Sequence, residues 1–118
     1  MKFRLLIFVL LMLNMACAQS SSKPISQVTT EEMSNVVLLD VRTPQEYSAG
    51  HLNGAVNMDW LSGNFDSMVK PLDKNETIYV YCKLGGRSAK AQARLKELGF
   101  TKVINLEGGY DAWSASKK

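Results

Sequence analysis

The stretch Thr77-Ile78-Tyr79-Val80-Tyr81-Cys82-Lys83-Leu84-Gly85-Gly86-Arg87-Ser88 decides how this chain folds. Its β-branched and aromatic beginning predicts a buried strand, and that run stops at a cysteine. A glycine pair then breaks the extended pattern. From about Ser88 to Leu98, residues Ala91, Leu95 and Leu98 share one helical face, and Gly99 stands where a C′ glycine belongs. A strand that runs through a short glycine loop into a helix is half of a βα unit. In an open parallel sheet, ligands bind beyond the carboxyl ends of the strands, which is where Cys82 lies.

The same alternation extends in both directions. Val36-Val37-Leu38-Leu39 is a continuous aliphatic run ending at Asp40, the pattern of a strand buried on both faces. Lys102-Val103-Ile104-Asn105 and the short Ala55-Val56-Asn57 supply two more strands, and Ile25 to Val28 a weak edge strand. Between them, Thr43 to Ala49 predicts a short helix with Pro44 in its first turn and Gly50 just past its end. Leu61 to Val69 is a weaker helical stretch, and the segment between Glu31 and Asn35 leaves room for only a short first helix. The fold class is α/β, with a small parallel sheet of about five strands.

Chemistry concentrates in the loop after Cys82. Gly85 and Gly86 allow successive N–H groups to turn inward, so the loop can form an anion-binding nest at a helix N-terminus. A thiolate there is stabilised, and Lys83 and Arg87 add positive charge that lowers the thiol pKa and attracts an anion. The competing reading is an ordinary turn beside a small core cysteine.

Beyond these physical arguments, Cys82 to Ser88 resembles the Cys-x-x-Gly-x-Arg-Ser active-site loop of rhodanese-family sulfurtransferases. Leu39-Asp40-Val41-Arg42-Thr43-Pro44-Gln45-Glu46-Tyr47 with Gly50-His51-Leu52-Asn53-Gly54-Ala55 resembles that family's Asp-Val-Arg, Glu-Tyr and Gly-His-x-x-Gly-Ala segment. Leu106-Glu107-Gly108-Gly109-Tyr110-Asp111-Ala112-Trp113 resembles its C-terminal Gly-Gly and Trp signature. The resemblance implies a parallel sheet flanked by helices on both faces and a catalytic Cys82 that carries sulfur as a persulfide. It further implies a substrate-binding loop of Lys83, Leu84, Gly85, Gly86, Arg87 and Ser88. The implied partners are a small anionic sulfur donor and a thiol or cyanide-like acceptor, with a protein donor or acceptor as a further option. No cofactor is implied.

Other polar residues read as support. Asp40 and Arg42 suit an ion-pair or capping role that orders adjacent loops, and Glu46 lies i, i+4 from Arg42. The resemblance assigns His51 to a turn. With one histidine and one mature cysteine, a transition-metal site would need carboxylates for most of its ligands, so no metal is predicted. Tyr110 and Trp113 are spaced to pin the last helix to the sheet, and Trp60 follows a strand near the site's rim. Related phosphatases and arsenate reductases share the implied fold but carry a cysteine loop one residue longer. The four residues between Cys82 and Arg87 suit sulfur better than a phosphoryl group. A non-turnover sulfur carrier or partner-binding module is the second alternative.

The N-terminus belongs to a different category. Lys2 and Arg4 precede the apolar run Leu5 to Leu13, which is too short to span a bilayer, and Ala16-Cys17-Ala18 offers a small-x-small cleavage site. The chain therefore divides into a signal peptide (1–18), a polar tether (19–27) and the domain (28–118), with export to the periplasm expected. Cleavage before Cys17 would instead leave a lipoprotein, the one route to membrane association. Removing Lys2 and Arg4 lowers the formal net charge from +3 to +1, too little for a nucleic-acid footprint. Export also removes or lipidates Cys17, leaving Cys82 without a disulfide partner. N-terminal sequencing of the protein from its native host should begin at Gln19, and recovery of intact Met1 would overturn the leader.

Overall fold

Strand β2 (Val37–Asp40) lies beside β4 (Thr77–Tyr81), with Leu39 opposite Val80 and Asp40 opposite Tyr81. This computed structural model describes residues 21–117; the signal peptide expected over 1–18, with Cys17, lies outside the described residues, as does Lys118. On either side of the central pair stand β3 (Val56–Asn57), β5 (Lys102–Glu107) and the edge strand β1 (Ser22–Pro24). All pairings are parallel, in the order β1-β5-β4-β2-β3. Among the described residues there are five α-helices: α1 (Thr30–Ser34), α2 (Pro44–Ala49), α3 (Phe65–Val69), α4 (Gly86–Glu97) and α5 (Gly109–Ser116).

The strands divide the core by parity. Along β4 the side chains of Ile78, Val80 and Cys82 enter one apolar layer with Leu39, Val41, Ala91 and Leu95, while Tyr79 and Tyr81 enter the other with Leu38, Leu52 and Leu106. Alternation of this kind is the period of an extended chain. It places the Cys82 side chain on the face covered by α4, the helix that its own loop begins. Helices α1 and α2 are started by side-chain caps, Thr29 and Thr43. In α2, the Thr43 hydroxyl accepts from the Glu46 amide while the Glu46 carboxylate accepts from the Thr43 amide, with Pro44 in the first turn.

Three expectations are corrected. The edge strand is Ser22–Pro24, not Ile25 to Val28; Ile25–Gln27 forms a 3-10 turn whose Ile25 is buried. Ser22 to Pro24 pair with Asn105 to Glu107 through the backbone, which no apolar pattern announces. The stretch from Ser22 therefore belongs to the sheet and not to the tether assigned to 19–27. Its start is clamped by Gln92 of α4, whose amide donates to Ser21 O at 2.6 Å. The weak helix over Leu61 to Val69 is likewise two pieces, a 3-10 turn at Trp60–Ser62 and then α3. Gly63 separates them in the left-handed region at φ 80°.

Beneath the C-terminal ends of β2 and β4 lies a buried polar cluster. Asp40 is 0% exposed, and its carboxylate accepts from the Arg42 amide, the Arg42 guanidinium and the Tyr81 hydroxyl. The Tyr81 oxygen in turn accepts from the Leu52 amide at 3.1 Å, and Arg42 also donates to Gly50 O at 2.7 Å. Burial, first, and then the Asp40 charge push the Tyr81 phenol far above its ordinary value. Deleting one partner strands the others without water. Asp40→Ala should lose about 3–5 kcal/mol of stability in urea unfolding, and Tyr81→Phe about 1–2 kcal/mol. A loss below about 1 kcal/mol in Asp40→Ala would show that the cluster does not hold these loops.

Candidate active site

Cys82 follows the last residue of β4, and the chain enters α4 only four residues later at Gly86. Such a short connection must curl tightly. Gly85 takes φ 129°, a conformation that side-chain-bearing residues avoid, and so delivers its own N–H to Sγ at 3.0 Å. Gly86 differs from the expectation for the pair: it is the first helical residue, has no positive φ, and leaves open space where a Cβ would stand. Only one glycine of the pair is required by the turn.

The thiol is surrounded by dipoles. Ser88 is fully buried in the first turn of α4, with its hydroxyl 3.4 Å from Sγ and 3.1 Å from Gly85 O. One hydroxyl proton cannot serve both neighbours. With a neutral thiol it goes to Gly85 O; with a thiolate it turns to sulfur. The amides of Ser88, Gly85 and Leu84 add to this, and the N-terminus of the helix points the same way. Burial is the largest single influence on Cys82 and raises its pKa, but the hydroxyl and the three amides together outweigh it. The thiol lies below its ordinary value.

Of the two cations only Arg87 acts on the thiol as the sequence suggested, through its charge and not through contact. Lys83 turns outward to Asp111, Nζ to Oδ2 at 2.5 Å, with both side chains about half exposed. Arg87 makes a two-pronged pair with Glu46, at 2.7 and 2.9 Å. The Glu46–Arg42 pair expected from i, i+4 spacing is absent, because Arg42 is engaged by Asp40 and Gly50 while the capping box turns Glu46 towards the loop. Asp40 and Arg42 sit on the opposite face of the sheet from Sγ, so they reach the thiol only through the backbone. Leu84 is 69% exposed on the loop's outside. Trp60 packs edge-on against Phe65, and its amide donates to Val41 O. His51 stacks on Tyr47 at 3.7 Å, away from Cys82 in the turn after α2.

Tyr81 is a supporting residue that sequence reasoning did not assign to the site, and Glu46, read as support for Arg42, supports Arg87 instead. Glu46 carried a signal in retrospect, since a glutamate three residues after an N-cap threonine has its carboxylate held back against the helix start. Tyr81 carried none beyond its place next to the cysteine.

The profile of the rhodanese-like domain family matches residues 27–116. This chain belongs to the rhodanese family. Thiosulfate sulfurtransferase 16 of Arabidopsis thaliana is 41% identical over 86 residues, covering 64% of this chain and 72% of that protein. The putative sulfur carrier protein YrkF of Bacillus subtilis is 35% identical over 88 residues, covering 75% of this chain but only 45% of its own. Among solved structures, a rhodanese-related protein from Thermoplasma volcanium superposes with a TM-score of 0.71 at 27% identity, over 80% of this chain and 91% of that one. The rhodanese-like domain thus has both sulfurtransferases and a sulfur carrier among its relatives.

Arg87 holds the Glu46 carboxylate down to about 2; burial opposes this shift, and the Thr43 amide and hydroxyl support it. A depressed carboxylate stabilises the fold fully above its unfolded value and loses that contribution as the pH falls through the folded one. Between about pH 5 and pH 2, the wild type should therefore lose about 1–2 kcal/mol more than Glu46→Gln, allowing for partial screening. Parallel stability curves for the two proteins over that range would refute the pairing.

Proposed function

We propose that the domain moves a sulfane sulfur from a donor to a thiophilic acceptor through a persulfide on Cys82. The observation that carries this reading is the set of hydrogen-bond donors converging on Sγ. A thiol that served only as core filling would have no use for them, whereas a thiolate and a persulfide both carry a charge that they stabilise. With thiosulfate, the Cys82 thiolate attacks the outer sulfur. A new S–S bond forms, the donor's S–S bond breaks, and sulfite leaves with the electron pair. A thiolate or cyanide then attacks the outer sulfur of the persulfide, which frees the Cys82 thiolate and yields a new persulfide or thiocyanate.

Access supports sulfur over phosphorus. Only 2% of Cys82 meets solvent, which limits attack to a slender terminal atom. With four residues between Cys82 and Arg87, the loop is also a narrow cradle for a phosphoryl group. The exposed Leu84 and the relative named as a sulfur carrier favour a second reading, in which the domain passes sulfur between proteins without turning over free thiosulfate. Under either reading the proposed setting is the periplasm, where an unpaired cysteine is kept for reaction and not for a bridge.

Intact mass after exposure to thiosulfate should rise by one sulfur atom, and Cys82→Ala should show no gain. Absence of the gain with both thiosulfate and an organic persulfide would remove the proposal. Steady thiocyanate release from thiosulfate and cyanide selects the enzyme, whereas loading without release selects the carrier.

A further inference from the structure

A loop of this kind can rotate each of its peptides, so the inward direction of its amides needs a restraint. The restraint lies on its outer side. Cys82 O accepts from the Tyr110 amide at 2.8 Å, and Lys83 O accepts from the Asp111 amide at 3.1 Å. Both donors belong to the first turn of α5, where N–H groups have no acceptor within their own helix. In a planar trans peptide the C=O and the N–H point in opposite directions. Drawing the Lys83 carbonyl towards α5 therefore turns the Leu84 N–H away from α5, to the inner side of the loop, where the next amide along, that of Gly85, donates to Sγ at 3.0 Å.

The helix approaches too closely for any side chain at the contact. Gly109 has φ 63°, and a Cβ there would collide with the carbonyl oxygens of both Cys82 and Lys83. Behind this turn, the Arg42 guanidinium carbon stands 4.4 Å from the centre of the Tyr110 ring. The buried Asp40–Arg42 pair thus forms the seat on which α5 rests.

We infer that the first turn of α5 is a positioning element for the sulfur site: Gly109 lets it close on the loop, and the Tyr110 and Asp111 amides hold the outer carbonyls so that the inner amides face Sγ. These residues act through the loop and are not catalytic. The inference rests on Cys82 being the working sulfur, but it concerns the thiol's ionisation and not its turnover.

Asp111→Pro removes one of the two donors within the first helical turn, where no intrahelical bond is lost. Asp111→Ala removes only the exposed pair with Lys83 and serves as the control. The measurement is the rate of Cys82 alkylation by iodoacetamide against pH, which needs no sulfur donor. Relative to Asp111→Ala, the midpoint in Asp111→Pro should rise by about half to one pH unit, on the order of one hydrogen bond's influence. Coincident midpoints overturn the inference. Failure of the sulfur-transfer reading looks different: the mass gain is missing while the pH shift remains. Should Asp111→Pro not fold, amide hydrogen exchange in the wild type decides. An Asp111 amide slowed roughly tenfold or more relative to an exposed one supports the clamp, and exchange at the exposed rate overturns it.

Discussion

A carboxylate with no access to water must be satisfied from within, and Asp40 is satisfied by the backbone amide and guanidinium of Arg42 and the phenol of Tyr81, two residues at the C-terminal ends of neighbouring strands. Coulomb attraction in such a place is strong, yet the cost of removing both charges from water is comparable, so the net stabilisation is small. What the cluster supplies is position. Arg42 cannot leave Asp40 without stranding a charge, so its guanidinium is a fixed platform for Tyr110, and through Tyr110 for the helix that holds the Cys82 loop. Asp40 and Arg42 lie on the face of the sheet away from sulfur and still govern it.

Stabilising sulfur with dipoles in place of a lysine suits a site whose charge moves. In the free thiolate the charge sits on Sγ; in the proposed persulfide it would sit one atom further out. A single ammonium would hold the charge at one point, whereas a loop of amides with a hydroxyl that can swing between Gly85 O and Sγ accommodates both. Lys83 pairs with Asp111 on the surface and Arg87 ties α4 to α2, so Arg87 acts on the sulfur by its charge and not by contact.

The sequence revealed what hydrophobic periodicity and turn chemistry govern. The aliphatic run into Asp40, the β-branched run into Cys82 and the helix ending at Gly99 are local patterns, and they stand where expected. The edge strand was not legible, because Ser22 to Pro24 contribute backbone hydrogen bonds to β5 and little apolar surface. Ile25 drew the strand assignment by being apolar, but it is buried by a turn. The loop and its cysteine were legible from residue types. The direction of its charges was not: whether Arg87 faces sulfur or Glu46 depends on a residue 41 positions away.

That distance has a physical consequence for the loop. Its helical end is tied through Arg87 to α2, and its strand end is tied through two carbonyls to α5, so restraints reach it from before and after it in the chain. A glycine loop left to itself would relax its amides outward to water when sulfur is neutral and would pay reorganisation each time charge returned. Held at both ends, it keeps the same amides inward through every state of the proposed cycle, and the cost of that ordering falls on folding and not on the proposed chemical step. The family's three separated signatures around Asp40, Cys82 and Gly109 are one device, because each supplies a part of that restraint the others cannot.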